Sequence, residues 1–274
     1  MQKSEVIDRA RDYYNSQNML HFHQTIYGEN IHVGIYDTSD ESISAANLNA
    51  LELIFSKPNL SPSSKVLDLG SGYGGPARYL AQSLGCSVDC LNLSEAQNEI
   101  NRNLNHDRGL SNLIQVFDGS FQTIPAPDNT YDFVLSQDAL LYSDNRQQVF
   151  QEVSRSLRPG GQFLITDVML ASNCPEDIRL KTLKLVNLES LASIENYCSL
   201  AQQVGFDVLE VVEMHEQVVR QYQATLDTLD SKFDELKQGC DLEFIEYQRT
   251  RLGNWVEIGR SGYLNWGILH FSKP

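Results

Sequence analysis

The chain has 274 residues, 41% of them hydrophobic, and its 36 acidic against 21 basic side chains give a net charge of −15. That length suits one α/β domain with additions. The acidic balance speaks against nucleic acid and anionic membrane surfaces as partners and favours a small zwitterion or cation.

Residues 1–64 precede the core and read as an N-terminal helical cap. Helical patterns run from Glu5 to Asn15 and from Ile43 to Phe55, and the segment His32 to Tyr36 between them is aromatic and contains a glycine. From Lys65 on, strand and helix signals alternate. Strands are predicted at Lys65 to Leu69, Ser87 to Asn92, Leu113 to Asp118, Tyr131 to Ser136 and Gly161 to Val168. Helices fall between them at Pro76 to Ser83, Glu95 to Arg108 and Asn145 to Leu157. A further helix, Ile194 to Val204, ends at Gly205, a good residue for closing a helix. Strands Phe206 to Glu213 and Leu264 to Ser272 complete the pattern, which implies a doubly wound, mostly parallel seven-stranded sheet over residues 65–274. Two insertions, 170–193 and the largely helical 216–260, leave near strand ends, where lids over a ligand crevice belong.

No apolar run approaches the ~20 residues of a membrane span, and the first residues lack the apolar core of a signal peptide. The cysteines, Cys86, Cys90, Cys174, Cys198 and Cys240, are odd in number and form no C-x-x-C pair. Reduced thiols in a cytoplasmic protein are expected.

The chemistry concentrates at strand ends. The first strand runs into Gly70, Gly72 and Gly74, a turn that brings bare backbone close to a ligand, and Pro76 suits the first turn of the helix after it. The G-x-G-x-G spacing differs from the dinucleotide fingerprint G-x-G-x-x-G. Asp68, inside the strand, would repel a pyrophosphate and welcome a cation. The ligand inferred from Asp68, Gly70, Ser71 and Gly72 is therefore a positively charged nucleoside, with S-adenosylmethionine as the candidate.

The second strand stops at Asn92, placed to hold ribose hydroxyls, followed by Leu93. Ser94 and Gln97 match an S-x-x-Q capping box. After the third strand, Asp118 is expected to accept from an adenine amino group, with Gly119 and Ser120 supplying backbone beside it. The fourth strand ends in Gln137 and Asp138 on the lip that faces a reacting centre.

This ordered set of strand-end motifs resembles the class I S-adenosylmethionine-dependent methyltransferases over roughly residues 60–170. A narrower resemblance spans most of the chain. The segments His32 to Tyr36, Leu67 to Leu80, Leu91 to Asn98, Ser136 to Ala139 and Gly262 to Leu269 look like those of sarcosine/dimethylglycine N-methyltransferases, which make glycine betaine. The resemblance implies in-line methyl transfer to a small-molecule amine, with S-adenosyl-L-homocysteine as the second product. Tyr142 stands where the betaine branch has a histidine.

On that reading Asp138 draws the protonated amine in, and the proton leaves through it or a water. Tyr27, Tyr36 and Tyr142 are candidates for cation–π contact with the growing quaternary ammonium. His32 could orient the cap over the sulfonium. A substrate carboxylate calls for an arginine fork, and Arg179, Arg220 and Arg260 lie in the predicted lids. His21 and His23 have no third partner nearby, so no metal is expected. The protein is expected to be a monomer or a homodimer. Other methyl acceptors, a nicotinamide oxidoreductase and a non-catalytic cofactor-binding module stay open as alternatives.

Overall fold

The computed structural model describes residues 2–38, 40–186 and 188–274, and side chains from Asp8 onward except that of Val186. In chain order the elements are α1 (Gln2–Asn15), α2 (Gln17–Ile26), α3 (Ile43–Phe55), β1 (Lys65–Leu69), α4 (Gly75–Leu84), β2 (Ser87–Asn92), α5 (Glu95–Asp107), β3 (Ile114–Asp118) and β4 (Tyr131–Gln137). Then follow α6 (Arg146–Ser156), β5 (Leu157–Leu170), α7 (Glu176–Val186), α8 (Ile194–Gln203), β6 (Asp207–Glu213), α9 (His215–Ser231), α10 (Phe233–Leu236), α11 (Leu242–Arg260) and β7 (Leu264–Ser272).

The seven strands form one sheet in the order β3-β2-β1-β4-β5-β7-β6. β1 to β5 run parallel, while β7 inserts antiparallel between β5 and β6. The doubly wound reading therefore holds, with an antiparallel edge. Because side chains alternate across a strand, β1 sends Leu67 and Leu69 to one face and Val66 with Asp68 to the other. Leu67 and Leu69 join Val134, Phe163 and Ile165 beneath α6 and α8, and Val66 joins Val88, Phe133 and Leu164 beneath α3 and α4. Both faces of the central strands are thus dry, which explains why they read as continuous apolar runs.

Helix α2 lies outside the elements expected above, although Met19, Phe22, His23 and Ile26 recur at helical spacing on one face. Ser16 caps it by accepting from the Met19 N–H at 3.2 Å, and Met19, Phe22 and Ile26 pack into a cluster with Leu229, Ile245 and Leu252 of α9 and α11. The N-terminal helices and the α9–α11 insertion therefore share one apolar core, set on the C-terminal lip of the sheet. No helix among the described residues is long and apolar enough to cross a membrane.

Candidate active site

The β1–α4 turn is built from backbone conformations that only glycine adopts cheaply. Gly70, Gly72 and Gly74 have φ of +76°, +52° and +76°, in the left-handed region. At Gly70 a side chain is also excluded by space, since a Cβ there would lie 2.4 Å from the Cβ of Ala139. Backbone at the β1 and β4 lips is thereby left bare.

Asn92 Nδ2 donates to Gln97 Oε1 at 3.1 Å, orienting both amides at the end of β2. Half of the expected capping box forms: Ser94 accepts from the Gln97 N–H at 3.2 Å, but the Gln97 side chain turns to Asn92 and the crevice. At the end of β4, Gln137 is buried and its Oε1 has no partner. A buried acceptor left unpaired is costly, and one beside a glycine cradle fits a ligand that donates to it.

Asp138 follows in the left-handed conformation, φ +51°. Its Oδ1 accepts from Trp266 Nε1 at 2.7 Å and Thr166 Oγ1 at 3.1 Å. Its Oδ2 accepts from the Val33 N–H at 2.7 Å, with His32 Nδ1 at 4.0 Å. Burial pushes this carboxyl up to about 6 against the pull of its three donors. Asp138 is thus a clasp between the sheet and the cap, an arrangement its place in the sequence does not disclose. His32 is itself held down to about 4 by burial, so its ring is neutral.

These residues line one cavity. Gly70, Gly72, Asn92, Leu93, Gln97, Ser120 and Gln137 form a sheet-side wall; Tyr27, His32 and Tyr142 lie across from it, with Asp138 at the seam. The opposite wall is largely aromatic; α1, α2, α9 and α11 supply most of it, and His32 joins it from the loop after α2 and Tyr142 from the turn after β4. Tyr14 meets Tyr142 edge-on at 5.5 Å, and Tyr222 stacks on Trp255 at 5.1 Å. His23 lies among Tyr14, Tyr27 and Tyr73, and burial holds it down to about 3. Tyr13, Gln248 and Arg251 complete that wall. None of these three was singled out in the sequence, although Gln248, Arg251, Leu252 and Trp255 recur at helical spacing on one face of α11.

Other expected site residues lie elsewhere. Asp68 points to the α4 face with Val66; burial pushes it up to about 7 and the nearby Arg78 cation opposes that. Ser71 is buried beneath the turn, outside the cavity lining. Asp118 is not turned to the cavity, because its carboxylate accepts from Asn98 Nδ2 and Arg102 Nη2, both at 2.7 Å. Gly119 stays behind Ser120, where a Cβ would meet Leu91. Tyr36 sits one layer out, its hydroxyl donating to Gln221 Oε1 at 3.0 Å. The lid arginines are taken up by neighbours: Arg179 by Glu176, Arg220 by the Tyr36 carbonyl and Arg260 by Gln223.

Residues 67–165 match the family model for a methyltransferase domain. The chain is 42% identical to the sarcosine/dimethylglycine N-methyltransferase of Aphanothece halophytica over 98% of both chains. It is 40% identical to that of Halorhodospira halochloris, covering 98% of this chain and 97% of that one. The crystal structure of a candidate sarcosine dimethylglycine methyltransferase from Galdieria sulphuraria superposes with a TM-score of 0.90 at 36% identity, covering 95% of this chain and 98% of that one.

Proposed function

The chain belongs to the sarcosine/dimethylglycine N-methyltransferases, which are S-adenosylmethionine-dependent enzymes, and from that premise we propose that it methylates sarcosine to dimethylglycine and dimethylglycine to glycine betaine. The observation that carries this reading is a cavity with two unlike walls, a glycine cradle with amides on one side and aromatic rings on the other. S-adenosylmethionine, when bound, supplies a methyl group activated on a sulfonium. The donor set suits it: the bare turn at Gly70 and Gly72, the Asn92–Gln97 amide pair for hydroxyls, and Gln137 Oε1 as a free acceptor.

The chain's own contribution is positioning. Holding an amine in line with the methyl can supply roughly 7–11 kcal/mol of the barrier. An amine attacks only through an unshared pair, so its proton must go first. The Asp138 carboxylate is ionised above about 6; it draws the ammonium toward the seam, and the proton passes to it or to water. As charge moves onto nitrogen, the faces of Tyr14, Tyr27, Tyr142 and Trp255 stabilise it at ~0.5–2 kcal/mol per well-placed ring.

We read the protein as a cytoplasmic monomer or homodimer with no nucleic-acid partner, in keeping with its net charge of −15. The cap and the 216–260 insertion act as the cover of the crevice, whereas no described residue of the 170–193 insertion lines it. The test is release of S-adenosylhomocysteine across glycine, sarcosine, dimethylglycine and phosphoethanolamine. Turnover of sarcosine and dimethylglycine is expected; turnover of phosphoethanolamine alone, or of none, sinks the proposal.

A further inference from the structure

Arg251 of α11 projects into a wall that offers it no negative charge. Its Nη1 donates to Tyr13 Oη at 2.9 Å, and Tyr142 also reaches it. Its Nε is cut off from solvent without a partner, and no carboxylate among the described residues is paired with it. Arg251 is half-buried among phenols, and a guanidinium whose Nε is shut off from water without a partner gains from an anion that joins it. The other arginine lining the cavity, Arg11, is already paired with Asp8 at 2.6 Å.

The hydroxyl of Tyr13 is set up for the same task. Its oxygen accepts from Arg251 and, at 2.9 Å, from Gln248 Nε2. With both lone pairs used, its proton can only be donated outward. Two guanidinium donors and one phenol proton make a fork for a planar monoanion. A phosphate dianion would ask for more positive charge than one unpaired arginine provides. Arg251 also lines a neighbouring cavity, together with Tyr13, Tyr14, Tyr142 and Tyr247, and the residue as a whole keeps partial exposure.

We infer that Arg251, with the Tyr13 hydroxyl, is the anchor for the substrate's carboxylate and restricts the acceptor to N-methylated amino acids. This rests on the reading of the site as an amine methyltransferase. It also replaces Arg179 and Arg260 in the role expected for them.

Calorimetry on the S-adenosylhomocysteine-loaded protein separates the two halves of the substrate. The probes are 3,3-dimethylbutyrate, which has the carboxylate and no charged nitrogen, and tetramethylammonium, which has the reverse. Arg251→Met should weaken 3,3-dimethylbutyrate about a hundredfold, as losing one partner of a buried charge pair does. Tetramethylammonium and S-adenosylhomocysteine should each change less than about threefold, a split that general unfolding of the wall would not produce. Arg251→Lys keeps the charge without the fork, and should fall between wild type and Arg251→Met. Equal loss of both probes, retention of 3,3-dimethylbutyrate by Arg251→Met, or no binding of it by wild type would each overturn the anchor. Failure of the underlying reading shows separately, as wild-type protein that turns over no N-methyl amino acid.

Discussion

The cavity's two walls obey different rules. On the sheet side, backbone conformation sets the geometry: a left-handed turn at Gly70 to Gly74, a strand ending at Asn92 and another at Gln137, all held by the parallel register of β1, β2 and β4. On the helical side the surface is made mostly of side-chain tips from α1, α2, α9 and α11, elements far apart in sequence that meet only through a shared apolar core. The first wall tolerates almost no substitution at its turn, whereas the second has rings and polar groups that can be exchanged one at a time. On the function proposed above, cofactor retention falls to the first side and acceptor choice to the second. Asp138 bonds to both sides, to Thr166 and Trp266 of the sheet and to Val33 of the cap.

The sharpest way to break this division is at the turn. Gly70→Val puts a β-branched residue at φ +76° and drives its Cβ into Ala139 at 2.4 Å. Left-handed strain costs ~1–2 kcal/mol and overpacking ~1–3 kcal/mol more, and both fall on the cradle. S-adenosylhomocysteine affinity should drop by about a hundredfold or more while Arg251→Met leaves it intact. Micromolar retention by Gly70→Val in titration calorimetry would show that the turn does not hold the cofactor.

The contrast between the walls also explains what could be foreseen. A site carried by backbone is written in contiguous residues, so the glycine turn, Asn92, Gln97 and Gln137 could be found by position along strands. Asp118 and Asp68 show the limit. Each stands at the right place, but Asn98 and Arg102 turn the first away, and the strand's alternation sends the second to the opposite face. The aromatic wall was only partly visible, because twelve tyrosines give no contrast and their convergence depends on helix packing. Tyr13, Tyr14 and Arg251 acquire meaning once α1 lies across α11. Helix α2 is short, and its Met19, Phe22 and Ile26 stripe has a meaning only as the face that packs on α9 and α11.

A second, smaller perturbation tests the seam. In Asp138→Asn the amide oxygen can stay with Trp266 and Thr166, which leaves Nδ2 facing the Val33 N–H, donor against donor. One buried mismatch of this kind costs about 1–3 kcal/mol, and it loosens the cap where the acceptor must be aligned. Turnover should fall about tenfold or more, with S-adenosylhomocysteine affinity changed less than threefold. The wild type should show an acid limb near pH 6, because protonation below about 6 removes the charge that holds Val33. That limb should be missing from Asp138→Asn. Unchanged turnover with the limb retained would remove Asp138 from both roles.

The smallest effect concerns how dry the helical wall is. His23 is held down to about 3, first by burial and then by the nearby Arg251 cation and His32. Unfolded, the same side chain titrates near 6.5. A folded value below the unfolded one means the neutral ring's contribution is complete above pH 6.5. It is lost as acid protonates the unfolded chain first. Between pH 8 and pH 5 this linkage removes about 2 kcal/mol of stability. His23→Phe keeps an aromatic ring among Tyr14, Phe22 and Tyr27 and lacks the titration, and His23 Nδ1 has no hydrogen bond to lose. Relative to wild type the variant should therefore gain about 2 kcal/mol in urea unfolding as the pH is lowered from 8 to 5. A difference that stays flat over that range would mean water reaches the ring. The aromatic wall would then be too wet for strong cation–π contacts, and acceptor binding would have to rest on the carboxylate anchor and Asp138 alone.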